Sequence, residues 1–578
     1  TYKMLEESRR AYNVDWGNIS PSLGAAWTVG SEKGFLRALL GSSGDSVLRG
    51  GASLAYQRGG MSDFTGPLGA NPGVQIDATR NQTNGNLGTL PVLLTGSDLG
   101  PPSINLTRTY PMAVPTASSS VYVFDPNIKT PSAFSYSFSW QRKVSNDVAV
   151  EVRFIHTNSF NTWTGGQQVP YMNYNEINIL ENKFINEFRL AQANLQANIA
   201  AGRGNTFRYT GAPGTVPLPI FLAYLNGSSA ANDTTKYTGS AWTDSTLLQS
   251  MYPLNPNPYT SASTIWANST YRANGLAAGY PSNFWVVNPG VAGAYMVTNG
   301  PKTSYNGIQL SLDRRYASGL LFQLNYTYGK GWMDQFYSFH KPYLTTEMNY
   351  TNIYTNQGGN ATGNVRHTFV ANWMYDLPFG RGQRFLAGAG GVLDRIVGNW
   401  SFQGVARLQS GRMLDFGNVR LMGMTADELR DSFKIRKVTD PANQYRTLVY
   451  ILPQDIIDNT IKAYSVSATG YSGDAPQGRY FAPANSPTCL ETTNGFGECG
   501  VRSLIVTGPK VLRVDFNVIK QIRVTERWRL EGQFQIFNVF NKVNFNPVNY
   551  VGSVSDSYQV TGAVDQSRTM QMAFRISW

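Results

Sequence analysis

Two cysteines are the first residues in this sequence whose type and spacing suggest chemistry. Cys489 and Cys499 enclose nine residues in CLETTNGFGEC, where Gly and Asn suit a tight loop. A zinc site needs further ligands, and the three histidines (His156, His340 and His367) are distant in sequence. We therefore predict a Cys489–Cys499 disulfide, which by the loop-entropy model stabilises the fold by roughly 3 kcal/mol. A disulfide in turn indicates an oxidising compartment.

Catalysis has little support in the remaining residues. The motifs GxSxG, HExxH and GxxxxGK[ST] are absent from the sequence, and three scattered histidines do not indicate a triad. Asp427, Glu428 and Asp431 are either a metal site or a solvated helix face, and they lack the spacing of a calcium loop. The sequence therefore predicts no catalytic, metal-binding or cofactor-binding residues and no enzyme. The net charge of +12 is spread along the chain, which argues against nucleic acid as a partner.

The elements that position these residues are strands. The chain ends on RTMQMAFRISW, in which apolar and polar residues alternate, and this period of two predicts a β-strand. Similar alternation predicts hairpins over 134–154 and 308–328 and a third that turns near Thr525, giving eleven strands in all. Mean hydropathy is −0.27, and no apolar run approaches the ~18 residues of a spanning helix. These features exclude a helical membrane protein but allow a β-barrel, whose alternating strands hide their lipid face.

Short turns alternate with very long loops along the chain. The long loops are predicted at 58–132, 158–303, 331–364, 411–508 and 541–566. This asymmetry is typical of transmembrane barrels with short periplasmic turns and long outer loops. Aromatic residues at the short-turn ends of the strands are predicted to share the apolar face and to form a girdle at one membrane interface. They are Trp27, Trp140, Tyr316, Tyr375, Trp400, Trp528 and Trp578.

The opposite face of the same strands is predicted to be polar and to line the lumen. Its members by alternation are Glu151, Arg153, Asp313, Arg315, Asp376, Arg407, Arg513, Asp515, Arg529, Glu531 and Gln533. One interpretation is that these groups form salt bridges to a domain inside the barrel. The other is that they hydrate the lumen and pair with each other across strands.

Some of the long loops have helical periodicity. The stretch 175–202 predicts an amphipathic helix with Asn175 as its N-cap and Gly202 as its stop. This helix is either a lid that contacts a ligand or an element that packs its own loop together. A capping box at Thr425 and Glu428 and a helix start near Pro453 predict that 411–508 is a small folded cap.

Longer stretches resemble the C-terminal half of TonB-dependent outer-membrane transporters, most closely the Oar-like branch. They include SYNGIQLSLDRRYASGLLFQLNYTYGKGW, NVRHTFVANWMYDLPFGRGQRF, FQIFNVFNKVNFN and the terminal MAFRISW. Further similar stretches, NISPSLGAAW among them, extend the resemblance from about residue 13 to 578. The chain end also resembles the outer-membrane assembly signal at Gln571, Ala573, Ile576 and Trp578, although the family prefers Gly where Ala573 stands.

The resemblance implies an all-β fold: an antiparallel transmembrane β-barrel of roughly 22 strands around a plug, with short helices in its outer loops. Residues 1–578 would be the C-terminal barrel portion, without plug, TonB box or signal peptide. An eleven-stranded sheet leaves unpaired edges in lipid, so we expect either a longer protein or one of two paired chains. The implied partners are outer-membrane lipid, TonB acting through the missing plug, the barrel assembly machinery and an unknown extracellular ligand.

The expected function is uptake of a substrate across the outer membrane of a Gram-negative bacterium with energy from the TonB system. Substrate classes left open are peptides, glycans and siderophore-like molecules. The alternative is a non-transporting surface protein, either an adhesin or the scaffold of an outer-membrane complex. A secreted all-β polysaccharide-binding or polysaccharide-degrading protein is a third possibility, but it would not explain aromatics at one end of every strand.

Overall fold

The structure is a computed structural model that describes most of the chain. The described residues are 10–57, 65–66, 68–69, 71, 120–163, 172–300, 302–333, 365–492, 497–501 and 503–578. Most of the loop predicted at 58–132, almost all of the loop at 331–364, His340 and the start of the chain lie outside them. Among the described helices, none has the length and apolarity needed to cross a membrane.

A single antiparallel sheet dominates the described part of the chain, as the alternation predicts. Its eleven strands follow each other in chain order from one edge to the other. They are β1 Ser22–Val29, β2 Ser46–Tyr56, β3 Ser132–Lys143, β4 Val148–Phe160, β5 Thr303–Ala317, β6 Leu320–Met333, β7 His367–Asp376, β8 Trp400–Gln409, β9 Val511–Arg523, β10 Arg529–Phe537 and β11 Thr569–Ser577. Strands β1 and β11 form the two edges, and within the described residues they do not pair with each other.

The strand register gives the sheet one apolar and one polar face. Trp140 of β3 pairs with Leu48 of β2 and with Val152 of β4, so these residues share a face. One residue further along, Glu151 pairs with Ser311 on the opposite face. Because side chains alternate along a strand, this register extends an apolar and a polar set across all eleven strands.

Short connections all lie at one end of the sheet. Three of them are tight turns, at 144–147, 318–319 and 524–528, and we call this edge the short-turn end. The other two connections at that end contain short helices, α1 Gly34–Leu40 between β1 and β2 and α7 Gly391–Val397 between β7 and β8.

The long connections at the opposite end contain two folded units. Residues 172–300, here the helical cap, contain five helices: α2 Phe184–Ala200, α3 Pro219–Asn226, α4 Ser245–Ser250, α5 Pro258–Ala267 and α6 Ser269–Ala277. Residues 411–508, here the disulfide cap, contain α8 Ala426–Ser432 and α9 Gln454–Tyr464. Small strands accompany them at Met413–Asp415, Val419–Met422, Arg436–Asp440, Asn443–Tyr450, Val466–Ser467, Gly470–Tyr471, Tyr480–Pro483 and Ile505–Thr507. Short strands at Val121–Phe124, Met172–Asn173 and Ala294–Val297 form a separate small sheet.

The main hydrophobic core of the described residues lies in the helical cap rather than in the sheet. Phe184, Phe188, Phe221, Trp242 and Trp285 are all at most 1% exposed. Helix α2 packs its buried face into this core, which is the second of the two roles considered for it. The cap therefore folds around its own apolar residues.

Candidate functional site: the polar face and the outer caps

The polar face places oppositely charged groups next to each other along single strands. Arg153 Nη2 lies 2.7 Å from Glu151 Oε1 on β4, and Arg513 Nη2 lies 3.0 Å from Asp515 Oδ2 on β9. Arg513 also lies 3.8 Å from Asp565, which precedes β11. In both pairs the two residues are two positions apart on one face of a strand, and long side chains easily span that distance. The ion pairs found here are therefore mainly within strands, whereas the second of the two sequence interpretations had these groups pair across strands.

Hydrogen bonds continue this network around the other predicted members. Arg407 Nε donates to Gln409 at 2.8 Å, and Ser311 Oγ donates to Asp313 at 2.5 Å. Glu531 accepts from Gln533 Nε2 at 2.7 Å and, across the β9–β10 pair, from Gln521 Nε2 at 2.9 Å. Of the remaining predicted members, Arg529 begins β10 opposite Ser577, and the backbone N–H of Arg315 donates to the Asp147 carbonyl.

The depth of the polar face changes across the sheet. On β4 to β6 it has a depression lined by Glu151, Arg153, Gln309 and Thr327. On β1 to β3 the same face carries mainly small residues, with Arg49 as a charged exception. A second depression there is lined by Ser22, Gly51, Ser53, Ser135 and Ser137. The polar face thus combines a charged half with a half whose short side chains leave room close to the backbone.

A β-bulge corrects the predicted position of Tyr316. The register of β5 against β6 shifts between Arg314 and Ala317, so two residues of β5 oppose one of β6. The Tyr316 hydroxyl donates to Asp376, a member of the polar set. Tyr316 is therefore displaced from the apolar row, because the bulge breaks the alternation on which its place in the girdle depended.

The other predicted girdle residues lie toward the short-turn end of their strands. Trp528 and Trp578 stack with ring centroids 5.8 Å apart, which brings the last residue of the chain against the turn before β10. Trp400 Nε1 donates to the Ile396 carbonyl at 2.9 Å. Trp27 lies in β1 and Tyr375 in β7. The side chain of Trp27 is 68% exposed.

The predicted assembly-signal residues belong to the edge strand β11. Ala573 pairs with Gln533 and Ile576 with Leu530 of β10, and Gln571 donates to Gln535. Their role as a signal stays a prediction.

The disulfide is confirmed. Cys489 and Cys499 are bonded, with their Cα atoms 5.7 Å apart. Leu490, next to the first cysteine, is 7% exposed and belongs to the core of the helical cap. In addition, Gln196 Nε2 of α2 donates to the Ala468 carbonyl at 2.8 Å. The two caps are therefore packed against each other.

Both predicted helix starts in the disulfide cap are confirmed. Thr425 and Glu428 form the reciprocal capping box of α8, and Pro453 occupies the N-cap position of α9. Arg430 lies 2.8 Å from Asp427 and 2.9 Å from Asp431, so these acids pair with an arginine on the helix surface. No group of three or more His, Cys, Asp or Glu suited to a metal is found within the described residues.

The predicted start of α2 is wrong. The helix begins at Phe184 rather than after Asn175. Asn175 is buried and instead joins two loop segments, with its side-chain amide donating to the carbonyls of Asn288 at 2.9 Å and Val291 at 2.8 Å. At the other end, Gly202 adopts a φ of +69°, consistent with its prediction as the stop.

Two carboxyl groups of the helical cap, the buried Glu187 and the half-buried Glu176, were not found from the sequence. Glu187 accepts hydrogen bonds from the backbone N–H groups of Ile220 at 2.9 Å and Phe221 at 2.7 Å, in the first turn of α3. Burial raises the pKa of Glu187 to about 7. Burial also raises the pKa of Glu176, which accepts a hydrogen bond from the Tyr259 hydroxyl at 2.5 Å. The partners of Glu187 lie more than 30 residues away, and Glu176 combines the distant Tyr259 with Asn173, three residues earlier, whose Nδ2 donates to it at 2.8 Å.

The sequence and the structure were compared with known proteins. The model of a family described as an outer membrane beta barrel domain matches residues 3–571. Among solved structures, the outer membrane transporter YddB from Escherichia coli is 8% identical with a TM-score of 0.32, covering 92% of this chain and 38% of that one. The ferripyoverdine receptor of Pseudomonas aeruginosa is 9% identical with a TM-score of 0.32, covering 97% and 32%.

A third similar structure is the ferric-catecholate import receptor Fiu from E. coli K12. It is 7% identical with a TM-score of 0.30, and the match covers 96% of this chain and 34% of that one. The chain thus spans less than two fifths of the length of these three proteins. A search of the curated proteins gives no match.

Proposed function

Because the chain belongs to the outer membrane beta barrel domain family, we propose that it forms part of the wall and the outer cap of a TonB-dependent receptor that takes up an extracellular ligand. The chain resides in the outer membrane. In this proposal its strands are the C-terminal half of a barrel of roughly 22 strands. Further strands, from the same or another polypeptide, pair with β1 and β11, because unpaired backbone groups facing lipid are prohibitively costly.

The observation that supports the proposal most is the charged set on the polar face. In the pair Arg153–Glu151 the side chains are 43% and 21% exposed, and Arg513 of the second pair is 44% exposed. Ion pairs of this kind contribute little to stability in water, but they offer hydrogen-bonding groups to a domain packed against the face. A plug domain inside the barrel is such a partner, and TonB would act through it.

The caps supply the extracellular part of the proposed receptor. They are folded and packed against each other, as Leu490 in the core of the helical cap indicates. A folded cap can present a fixed ligand-binding surface above the lumen, which unstructured loops cannot do without an entropic cost. Peptides, glycans and siderophore-like molecules remain the substrate classes of this proposal. The rival function is that of an adhesin or scaffold, in which the caps bind another protein and nothing is imported.

A charge reversal on the polar face tests the plug contact. Glu151→Arg would place a second cation beside Arg153 and weaken the binding of a plug at this face. We expect the full-length protein to show higher conductance in planar bilayers, and cells that express it to become more sensitive to vancomycin, which is too large for ordinary porins. Asp427→Arg is the matched control, because Asp427 also pairs with an arginine, Arg430, but on the surface of the outer cap.

Binding to TonB separates the transporter from its rival. The purified periplasmic domain of TonB, immobilised on beads, is expected to retain the full-length wild-type protein extracted in detergent. An adhesin or scaffold would not be retained, and Glu151→Arg would then leave conductance and vancomycin sensitivity at the level of Asp427→Arg. That combination of results would exclude the transporter.

A further inference from the structure

Two connections at the short-turn end contain the same eight-residue pattern. Residues 34–41 are GFLRALLG and residues 391–398 are GVLDRIVG. Each has glycine at both ends, leucine at the third position and apolar residues at the second, sixth and seventh. Each forms a seven-residue helix, α1 or α7. Strands β2 to β7 separate the two helices along the sheet.

Both helices expose the same side of the pattern. At the second position Phe35 is 78% exposed and Val392 73%, and at the sixth position Leu39 is 41% exposed and Ile396 63%. The leucines at the third position are also exposed. Positions two, three and six lie on one face of an α-helix, so each helix presents an apolar face that no described residue covers.

Cationic and aromatic side chains from the strands hold the C-terminal end of α1. Arg142 Nη1 donates to the carbonyl of Leu39 at 2.7 Å and to that of Ala38. Ser46 Oγ donates to the last carbonyl of the helix, and Trp140 Nε1 donates to Ser46 Oγ at 3.2 Å. A cation at this end also favours the helix dipole.

Helix α7 is held in the same way by different strands. Lys520 Nζ donates to the carbonyl of Ile396 at 3.2 Å and to that of Gly398. Trp400 Nε1 donates to the Ile396 carbonyl at 2.9 Å, and the Lys520 ammonium lies 5.1 Å from the centroid of the Trp400 ring. Each helix is thus attached by one cation and by one tryptophan, which bonds directly to α7 but reaches α1 through Ser46.

These attachment residues belong to the apolar face of the sheet. Arg142 pairs with Ser46 and Val150, in the same set as Trp140, and Lys520 pairs with Trp400 and Gly532. In an outer-membrane barrel the apolar face meets lipid, and the short turns face the periplasm. The exposed apolar residues of α1 and α7 therefore continue the lipid-facing surface at its periplasmic edge.

We propose that residues 34–41 and 391–398 are membrane anchors that bury their apolar faces in the phospholipid of the periplasmic leaflet, at the level of the headgroups. Lipid surrounds the rim at both places, whereas one protein partner would have to recognise the same short pattern twice. Arg381, whose backbone N–H donates to Asp394 of the second anchor, and Arg384 in the same connection complement anionic headgroups. The proposal depends on the outer-membrane location and is independent of transport.

Fluorescence of labelled cysteine variants tests the anchors. Leu36→Cys and Ile396→Cys are each labelled with the environment-sensitive dye NBD in the full-length protein, in which any cysteine outside residues 1–578 is first replaced by serine. The two cysteines within residues 1–578 are joined in their disulfide and do not react with the dye. The controls are Ala38→Cys and Arg395→Cys, on the other sides of the same helices. All four proteins are inserted into vesicles of phosphatidylethanolamine and phosphatidylglycerol that contain nitroxide-labelled lipid. A heat-dependent shift in gel mobility shows that each is folded.

We expect Leu36→Cys and Ile396→Cys to emit at shorter wavelength than their controls and to be quenched severalfold more strongly by the lipid nitroxide. Aqueous iodide should quench the controls instead. Equal quenching of test and control positions by iodide would overturn the proposal, since the apolar faces would then be in water. A blue shift without lipid quenching would also overturn it, because a protein, either a second copy or a partner, would then cover the helices.

Discussion

Glu187 is expected to make the stability of the helical cap depend on pH. Its carboxylate lies in α2, is 5% exposed and accepts two backbone hydrogen bonds from Ile220 and Phe221 at the start of α3. These bonds favour the charged form, but the loss of water around the group outweighs them and raises its pKa to about 7. The substitution Glu187→Gln keeps the shape of the side chain and removes the titration.

The direction of the effect follows from the raised pKa. A carboxyl group with a higher pKa in the folded state binds its proton more tightly there than in the unfolded chain. The stability this contributes is fully present below the ordinary pKa of 4.5 and is lost as pH rises through about 7. Since one pKa unit corresponds to about 1.4 kcal/mol, the cap should lose about 3 kcal/mol over this range. The raised pKa of Glu176 acts in the same direction.

Hydrogen exchange of the full-length protein measures this loss. Protection factors of amides in α2 and α3, corrected for intrinsic exchange, should fall between pH 4.5 and pH 8 in the wild type and fall less in Glu187→Gln. Glu181→Gln, six residues earlier, is the control and should keep the wild-type dependence. The hydroxyls of Tyr237 and Tyr280 face Glu187 but titrate well above this range, since burial raises the pKa of both. Protection that is flat with pH in the wild type, or equally steep in Glu187→Gln, would refute the reasoning.

Two further predictions concern the disulfide and the chain end. The double variant Cys489→Ser/Cys499→Ser should lose roughly 3 kcal/mol of local stability in the disulfide cap, seen as faster chymotrypsin cleavage there. Equal cleavage rates before and after reduction of the wild type would contradict it. Trp578→Ala removes the ring that stacks on Trp528 and is predicted to remove an aromatic anchor at the membrane interface. We expect this variant to give less folded protein in outer membranes, measured by heat-dependent gel mobility. Thr569→Ala, at the other end of β11, is the control. An unchanged amount of folded protein would contradict the predicted role of the terminal residue.

The alternation of residues was sufficient to predict the faces of the strands, because neighbouring side chains on a strand must point in opposite directions. That rule fails where a residue is inserted. The bulge before Ala317 depends on how β5 meets the turn at Ser318 and Gly319, both of which have positive φ angles of 51° and 77°. The sequence shows a turn there but not the extra residue, and Tyr316 was misplaced for that reason.

The start of α2 was misjudged because asparagines compete with the helix. The apolar spacing of three and four residues continues back to Ile177, yet Asn178 accepts from the backbone N–H of Leu180 at 3.1 Å and Asn182 from that of Phe184 at 3.0 Å. Such side chains offer the backbone an alternative to helical hydrogen bonds. Periodicity alone does not weigh this competition, whereas the capping box at Thr425 was predictable because its partners are local.

The two anchors and Glu187 show two different reasons why a feature could not be predicted from the sequence. The repeated pattern of residues 34–41 and 391–398 is visible in the letters, but its meaning depends on Arg142 and Lys520, which only the folded sheet brings to the helix ends. For Glu187 even the pattern is missing, because its partners are backbone groups of a helix 33 and 34 residues later.

The helical cap and the disulfide cap are best understood as one packed body. The disulfide closes a ten-residue separation, and Leu490 inside that loop enters the core built by α2 to α5. A loop that is held closed keeps Leu490 in place without a large loss of chain entropy on packing. Opening the disulfide should therefore loosen the helical cap as well as the loop that the disulfide closes. If Leu490 moves away with the opened loop, it leaves a cavity among the Phe and Trp side chains of the helical cap. Two connections that behave as one body, and not as two separate loops, are what the proposed binding surface requires.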